Sequence, residues 1–333
     1  MEKTTEFKLD EQALELRKHG KTRFRDTIAF LLFHTAPIAI FWTGATTFDW
    51  LMCVAMYFVR MFFITGGYHR YFSHRTYKTS RVFQFILAFM AETSAQKGIL
   101  WWGAHHRDHH RHSDTPADPH SMKLYGFWYS HMGWIMEQSF KATNFTRISD
   151  FTKYAELRWI NKHFLVPPVT LAVFLVLLGG YINGKDVADG FSATGNFGAI
   201  FSYGWSTLFT AFFLSTAILY HGTFSINSIM HKFGKQRYET GDESRNSLIL
   251  ALVTLGEGWH NNHHYYMSST RQGFFWWEID ITYYILKFLS FFGIVWDINE
   301  VPHHVKYSKK LERSKRKRKM VEKPKYNFCG IIF

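Results

Sequence analysis

The chain has 333 residues, 47 % of them hydrophobic and 19 % aromatic, with a formal net charge of +13. Two isolated cysteines, Cys53 and Cys329, exclude a disulfide framework and a C-x-x-C site. Basic charge interrupted by long apolar runs points to a membrane protein with basic aqueous parts, and with no recognition motif beside the charge nucleic acid is not a partner.

In chain order, residues 1–26 are polar and of mixed charge, without the apolar centre of a cleavable signal peptide. Four apolar stretches follow, at 27–44, 50–66, 164–182 and 199–220. Each is close to the ~20 residues that a helix needs to span a bilayer. Arg60 lies inside the second, so it is expected to face protein or the interface rather than lipid. Between the second and third stretches, 82–91 is apolar but short and reads as a helix lying against the bundle. Residues 279–296 read as an amphipathic, interfacial segment. The tail 301–333 is strongly basic. A solvated tail, attraction to anionic membrane lipid and docking of an acidic partner all suit it.

Loops between the first and second and between the third and fourth stretches are short, the latter with the single lysine Lys185. Nearly all Lys and Arg lie in the N-terminal tail, the segment 67–162 and the C-terminal third, which the positive-inside rule assigns to the cytoplasm. The expected fold is all-α: a membrane domain over 27–300 with four transmembrane helices and a cytosolic helical cap, and both termini in the cytosol.

Nineteen histidines mark the chemistry. His69 and His74 form H-x-x-x-x-H. His106, His109 and His110 form H-x-x-H-H, as do His260, His263 and His264. His231 follows Asn227 by four residues. On a helix, positions i, i+3 and i+4 share a face, so each H-x-x-H-H is expected to aim three imidazoles at one volume. His69 and His74 stand about 140° apart on an ideal α-helix, so they serve two ions, or one if the helix breaks. All four groups fall at the same membrane face. Nine imidazoles exceed the three or four ligands of a zinc site. Two metals with four or five ligands each suit them, and nitrogen ligation with an open position suits iron that handles oxygen. The Glu-x-x-His pairs of a carboxylate-bridged di-iron site are not the pattern here. A transporter passing metal through the bilayer needs polar ligands within the spans, and the boxes lie outside them.

"GGYHRYFSHRTYK", "HHRDHHRHSDTPADPH", "NSIMH" and "GEGWHNNHH" together resemble the boxes of the delta-9 acyl-CoA (stearoyl-CoA-type) membrane fatty acid desaturases. "SSTRQGFFWWEID" looks more like the bacterial branch of that family, which implies a bacterial inner membrane, or the endoplasmic reticulum of a eukaryote. The resemblance implies two Fe ions with His69, His74, His106, His109, His110, His231, His260, His263 and His264 as ligands and Asn227 holding a metal through water. It implies O2-dependent desaturation of a long-chain saturated acyl thioester or acyl lipid in a bent tunnel, whose kink corresponds to Gln96, Trp102 and Thr223. Electrons come from a separate carrier such as ferredoxin or cytochrome b5. A related di-iron hydroxylase of lipid or alkane is the alternative. Where animal members carry Asn and Arg near the coenzyme A head group, this chain has Lys97 and Ala104.

Overall fold

The computed structural model describes residues 24–137, 140, 142–184 and 197–308. The N-terminal tail before Phe24, Lys185, Cys329 and the basic tail from residue 309 onward lie outside the described residues.

The described residues are mostly helical. α1 (Phe24–Thr35) continues through a 3₁₀ turn, Ala36–Ala39, into the short helix Ile40–Thr43. Pro37 lies in the 3₁₀ turn, where its missing N–H breaks the α-helical ladder. The first apolar stretch is therefore a segmented helix, Thr27–Thr43, shorter than the expected 27–44 span. Among the described residues, three helices are long and apolar enough to cross a membrane: Thr47–Ser73, Val166–Gly184 and Ser202–His231.

The first of these begins as α2 (Thr47–Phe62) with a capping box, Thr46 and Asp49 exchanging side-chain and backbone bonds. It then rewinds into a π-helix over Phe63–Ser73. Arg60 is fully buried, as its position required. Its guanidinium donates to the hydroxyls of Ser215 and Thr216 and to the Met56 carbonyl, which joins this helix to the Ser202–His231 helix. At the other end, buried Asp49 accepts from Asn183 and Thr207, tying together all three long helices.

α3 (Arg81–Glu92) is the short apolar helix expected at 82–91, capped by Ser80. α4 (Ile99–His112) carries the second histidine box and is positioned through its N-terminus. Its first N–H groups lack helical partners. Glu92 accepts from Ile99 N–H at 2.7 Å, and Asn161, on α5 (Ala155–Lys162), accepts from Leu100 and Trp101 N–H at 3.0 Å. Burial pushes the Glu92 carboxyl up to about 8, so it caps the helix as a neutral acid. Gly98 is required at the entry, because any Cβ there would collide with Asn161. Asn161→Ala leaves two buried N–H groups unpaired and is expected to cost about 1–2 kcal/mol. An unchanged melting temperature in detergent would dismiss this capping role.

α6 (Val166–Gly184) packs along α7 (Phe197–Thr207), which continues through a π turn, Leu208–Leu214, into α8 (Ser215–Ser228). The third box lies on the short α9 (His260–Tyr265). The expected 279–296 segment is α10 (Ile281–Phe291), followed by β2 (Val295–Trp296), which pairs antiparallel with β1 (Lys78–Thr79). Phe288, Phe291 and Phe292 are exposed along it. The main core, with Tyr68, Phe72, Leu87, Leu100 and Ile148, lies between the π-helix, α3 and α4, under the histidines.

Candidate metal centre

The C-terminal ends of two long helices meet at the site. One brings His69 and His74, the other Asn227 and His231. The π-helix explains the first pair. His74 N–H bonds the His69 carbonyl at 3.2 Å, closing a turn of five residues, and the two ring centroids stand 4.8 Å apart. The expected 140° separation is overturned because the backbone is not α-helical there.

The nine histidines converge in two groups. His69, His74, His106, His110 and His263 present ligand atoms within 4.8 Å of one another, and so do His109, His231, His260 and His264. The expectation that each H-x-x-H-H serves one volume is corrected. Both boxes are split, with His106 and His110 in the first group and His109 in the second, and His260 and His264 in the second and His263 in the first. On an α-helix i and i+4 are about 40° apart, whereas i+3 lies about 100° from i+4. The outer pair therefore turns to one centre and the middle ring to the other.

The rings are oriented from behind. His69 Nδ1 meets Glu257 Oε2 at 2.6 Å, His109 Nδ1 meets Asp118 Oδ1 at 3.0 Å, His231 Nδ1 meets Asp114 Oδ2 at 3.3 Å and His264 Nδ1 meets Asp242 Oδ2 at 2.6 Å. A carboxylate accepts a hydrogen bond from Nδ1–H, which keeps the proton on that nitrogen and leaves the lone pair of a neutral ring on Nε2. In the first group the Nε2 atoms crowd together. His69 Nε2 stands 3.0 Å from His263 Nε2, and His263 Nε2 2.9 Å from His110 Nε2. His110 to His106 and His106 to His74 are each 3.0 Å. His264 Nε2 is buried with no hydrogen-bond partner. Imidazole nitrogens held this close together can share a cation once they are deprotonated, so the donor sets fit a metal ion in each group.

Asp114, Asp118, Asp242 and Glu257 were not singled out from the sequence. Asp114 and Asp118 lie just past the second box and Glu257 inside "GEGWH", but no spacing rule marks Asp242. His120 stacks on His109 at 4.3 Å and joins Asp118 as outer support. Arg70 was also missed. It is buried beside His69 and binds Glu257 at 3.1 Å and Asp280 at 2.8 Å. Gly256, at φ +129°, lets the third box pass this ion pair, because a Cβ would meet Asp280 and Arg70.

A cavity opens onto both groups. It is lined by His69, His106, His109, His260 and Asn227 together with Met61, Ile64, Trp102 and Thr223. Trp102 is stacked between Tyr68 at 5.1 Å and His106 at 4.9 Å. Gln96, outside this lining, donates to the Thr223 hydroxyl at 3.1 Å. Ala104 is fully buried.

Burial, then the charge of neighbouring rings, pushes His74, His106, His110 and His263 well below the usual imidazole range, and burial brings His264 to about 4. His109 moves up, because the Asp118 carboxylate outweighs its burial. A ring whose folded pKa is depressed binds fewer protons folded than unfolded below about pH 6.5, so stability falls with acidification. Metal-free protein is therefore expected to lose stability from about pH 6.5 downward, by roughly 1 kcal/mol per neutral ring at pH 5.5. His109, whose pKa is raised, acts weakly in the opposite direction. A melting temperature of the metal-free protein that rises on acidification would contradict this.

The family model described as fatty acid desaturase matches residues 45–287. The chain is 34 % identical over 243 residues to an sn-1 stearoyl-lipid 9-desaturase of Synechocystis, covering 72 % of this chain and 68 % of that one. It is 31 % identical over 275 residues to a hex-5-enoyl-[acyl-carrier protein] acetylenase of Moorena producens, covering 79 % and 81 %. It is 30 % identical over 274 residues to an acyl-CoA 5-desaturase of Anemone leveillei, covering 81 % and 76 %. A matched region that takes in every histidine of both groups places the site inside the shared part, and the chain belongs to the fatty acid desaturase family.

Proposed function

We propose that the chain is an O2-dependent acyl desaturase that places a cis double bond, at the delta-9 position, in a long-chain saturated acyl thioester such as acyl-CoA or in an acyl lipid. The single supporting observation is the cavity whose wall includes histidines of both groups and Trp102. The two histidine groups would hold two Fe ions, with Asn227 reaching the four-histidine one through water. When bound, the irons supply the oxidising power that removes a hydrogen from each of two adjacent methylenes, with O2 and electrons from a separate ferredoxin- or cytochrome b5-like carrier.

The protein's own share is placement. Trp102, clamped between Tyr68 and His106, forms a rigid apolar wall beside the ligands. Gln96 fixes the Thr223 hydroxyl, and together they set where the acyl chain turns. The apolar lining from Met61 and Ile64 favours a saturated chain over water. In the proposed topology the segmented first helix completes four spans, with the histidine cap and both termini in the cytosol. The parallel direction of the two ligand-bearing helices supports it.

Expression in a host deprived of its own desaturase tests the activity. Gas chromatography with mass spectrometry is expected to show an alkene, lighter by two hydrogens, with the double bond located by derivatisation. An alcohol, heavier by one oxygen, would identify a hydroxylase instead. Supplying acyl-CoA, acyl lipid and acyl carrier protein separately identifies the carrier.

A further inference from the structure

We infer that the two metal positions are unequal, and that the four-histidine position, backed by Asp114 and Asp242, binds its ion first and more tightly than the five-histidine position. The inference rests on the two-metal reading above and deepens it.

Ligand number alone would favour the five-histidine position. The charge behind the ligands favours the other. Among the described residues, the five-histidine group has one carboxylate at an Nδ1, that of Glu257 on His69. That carboxylate is shared with Arg70, whose Nε and Nη2 lie 3.2 and 3.1 Å from Oε1 and which also binds Asp280, so its charge is partly offset. Three of the four rings in the other group have a carboxylate at Nδ1. Asp242 is met by His264 and by the hydroxyls of Thr240 and Ser244. Asp114 is met by His231, Glu243 N–H and Ser121. Among the described residues neither carboxylate is paired with a lysine or arginine, so no fixed cation offsets its charge. An anion hydrogen-bonded to the far nitrogen makes an imidazole a stronger donor and adds attraction for a dication in a poorly screened interior. Two such anions act on the four-histidine ion even with Asp118 set aside. The five-histidine ion has only Glu257, partly compensated by Arg70.

The test is anaerobic titration of metal-depleted full-length protein in detergent with Fe2+, following bound metal per chain. The expected result is two ions in two separated steps. His74→Ala should weaken the weaker step and leave the tighter one unchanged, and His260→Ala the reverse. Asp114→Asn and Asp242→Asn keep the hydrogen-bonding shape but remove charge, and each is expected to weaken the tighter step roughly 10–100-fold. Glu257→Gln should act on the weaker step alone. Melting temperatures of the metal-free variants separate misfolding from lost affinity, and the wild-type titration with 57Fe Mössbauer spectra at one equivalent gives the order of filling without any variant. Equal steps, or aspartate variants that weaken only the looser step, overturn the proposal. Uptake of one ion or none overturns the two-metal reading itself and the proposal with it.

Discussion

His109→Ala is expected to abolish formation of unsaturated acyl chains, lowering product by more than about 100-fold, since loss of even an outer partner of a metal ligand costs 10–100-fold. His109 belongs to the smaller group, which falls from four rings to three when it is removed. His110→Ala takes the larger group from five to four, so its loss is expected to be smaller. His110 is next to His109 in the chain, which makes the pair a controlled comparison of two groups reached from one helix. Fatty acid profiles of a desaturase-deficient host expressing each variant, normalised to the protein level, give the ranking. Unsaturated product retained in full by His109→Ala would remove that ring from the ligands.

Arg70→Met is expected to give the largest loss of stability, about 3–5 kcal/mol. Arg70 is 1 % exposed and holds two carboxylates, Glu257 and Asp280, together with the Thr270 carbonyl at 2.9 Å. Removing it strands both anions in the interior. Asp280 also caps α10 through Tyr283 N–H at 3.0 Å, and Glu257 orients His69, so one substitution loosens the end of a long helix, the third box and α10 together. Arg70→Lys should rescue only part, because an ammonium cannot reproduce the planar fork that spans two carboxylates. Denaturant unfolding in detergent measures the difference, and a loss below about 1 kcal/mol for Arg70→Met would show the ion pair to be structurally idle.

The long apolar helices and the nine histidines were legible in the sequence because both follow helical periodicity and length, which are local properties. Val166–Gly184 and Arg81–Glu92 lie within two residues of their expected limits. The sorting of rings was not legible. A shared helix face still spans about 100° between i+3 and i+4, wide enough to address two ions once α4 and α9 face each other across them. The supporting carboxylates were hidden for another reason. Asp242 reaches His264 across 22 positions and Asp114 reaches His231 across 117, pairings that only tertiary packing creates. Pro37 was visible, but how far it would segment the first apolar stretch depends on the neighbours that replace its lost hydrogen bond.

The π-wound turn ahead of His74 also separates two alignments that an unbroken α-helix would lock together. The lipid-facing azimuth of α2 and the direction in which His69 points are linked through Phe63–Ser73, and each residue added to or taken from an α-helix rotates everything beyond it by about 100°. A surplus residue held in that turn works as a rotary joint. It fixes the ligand end in register with the rest of the helix, so single-residue length changes there are expected to be more disruptive than most substitutions.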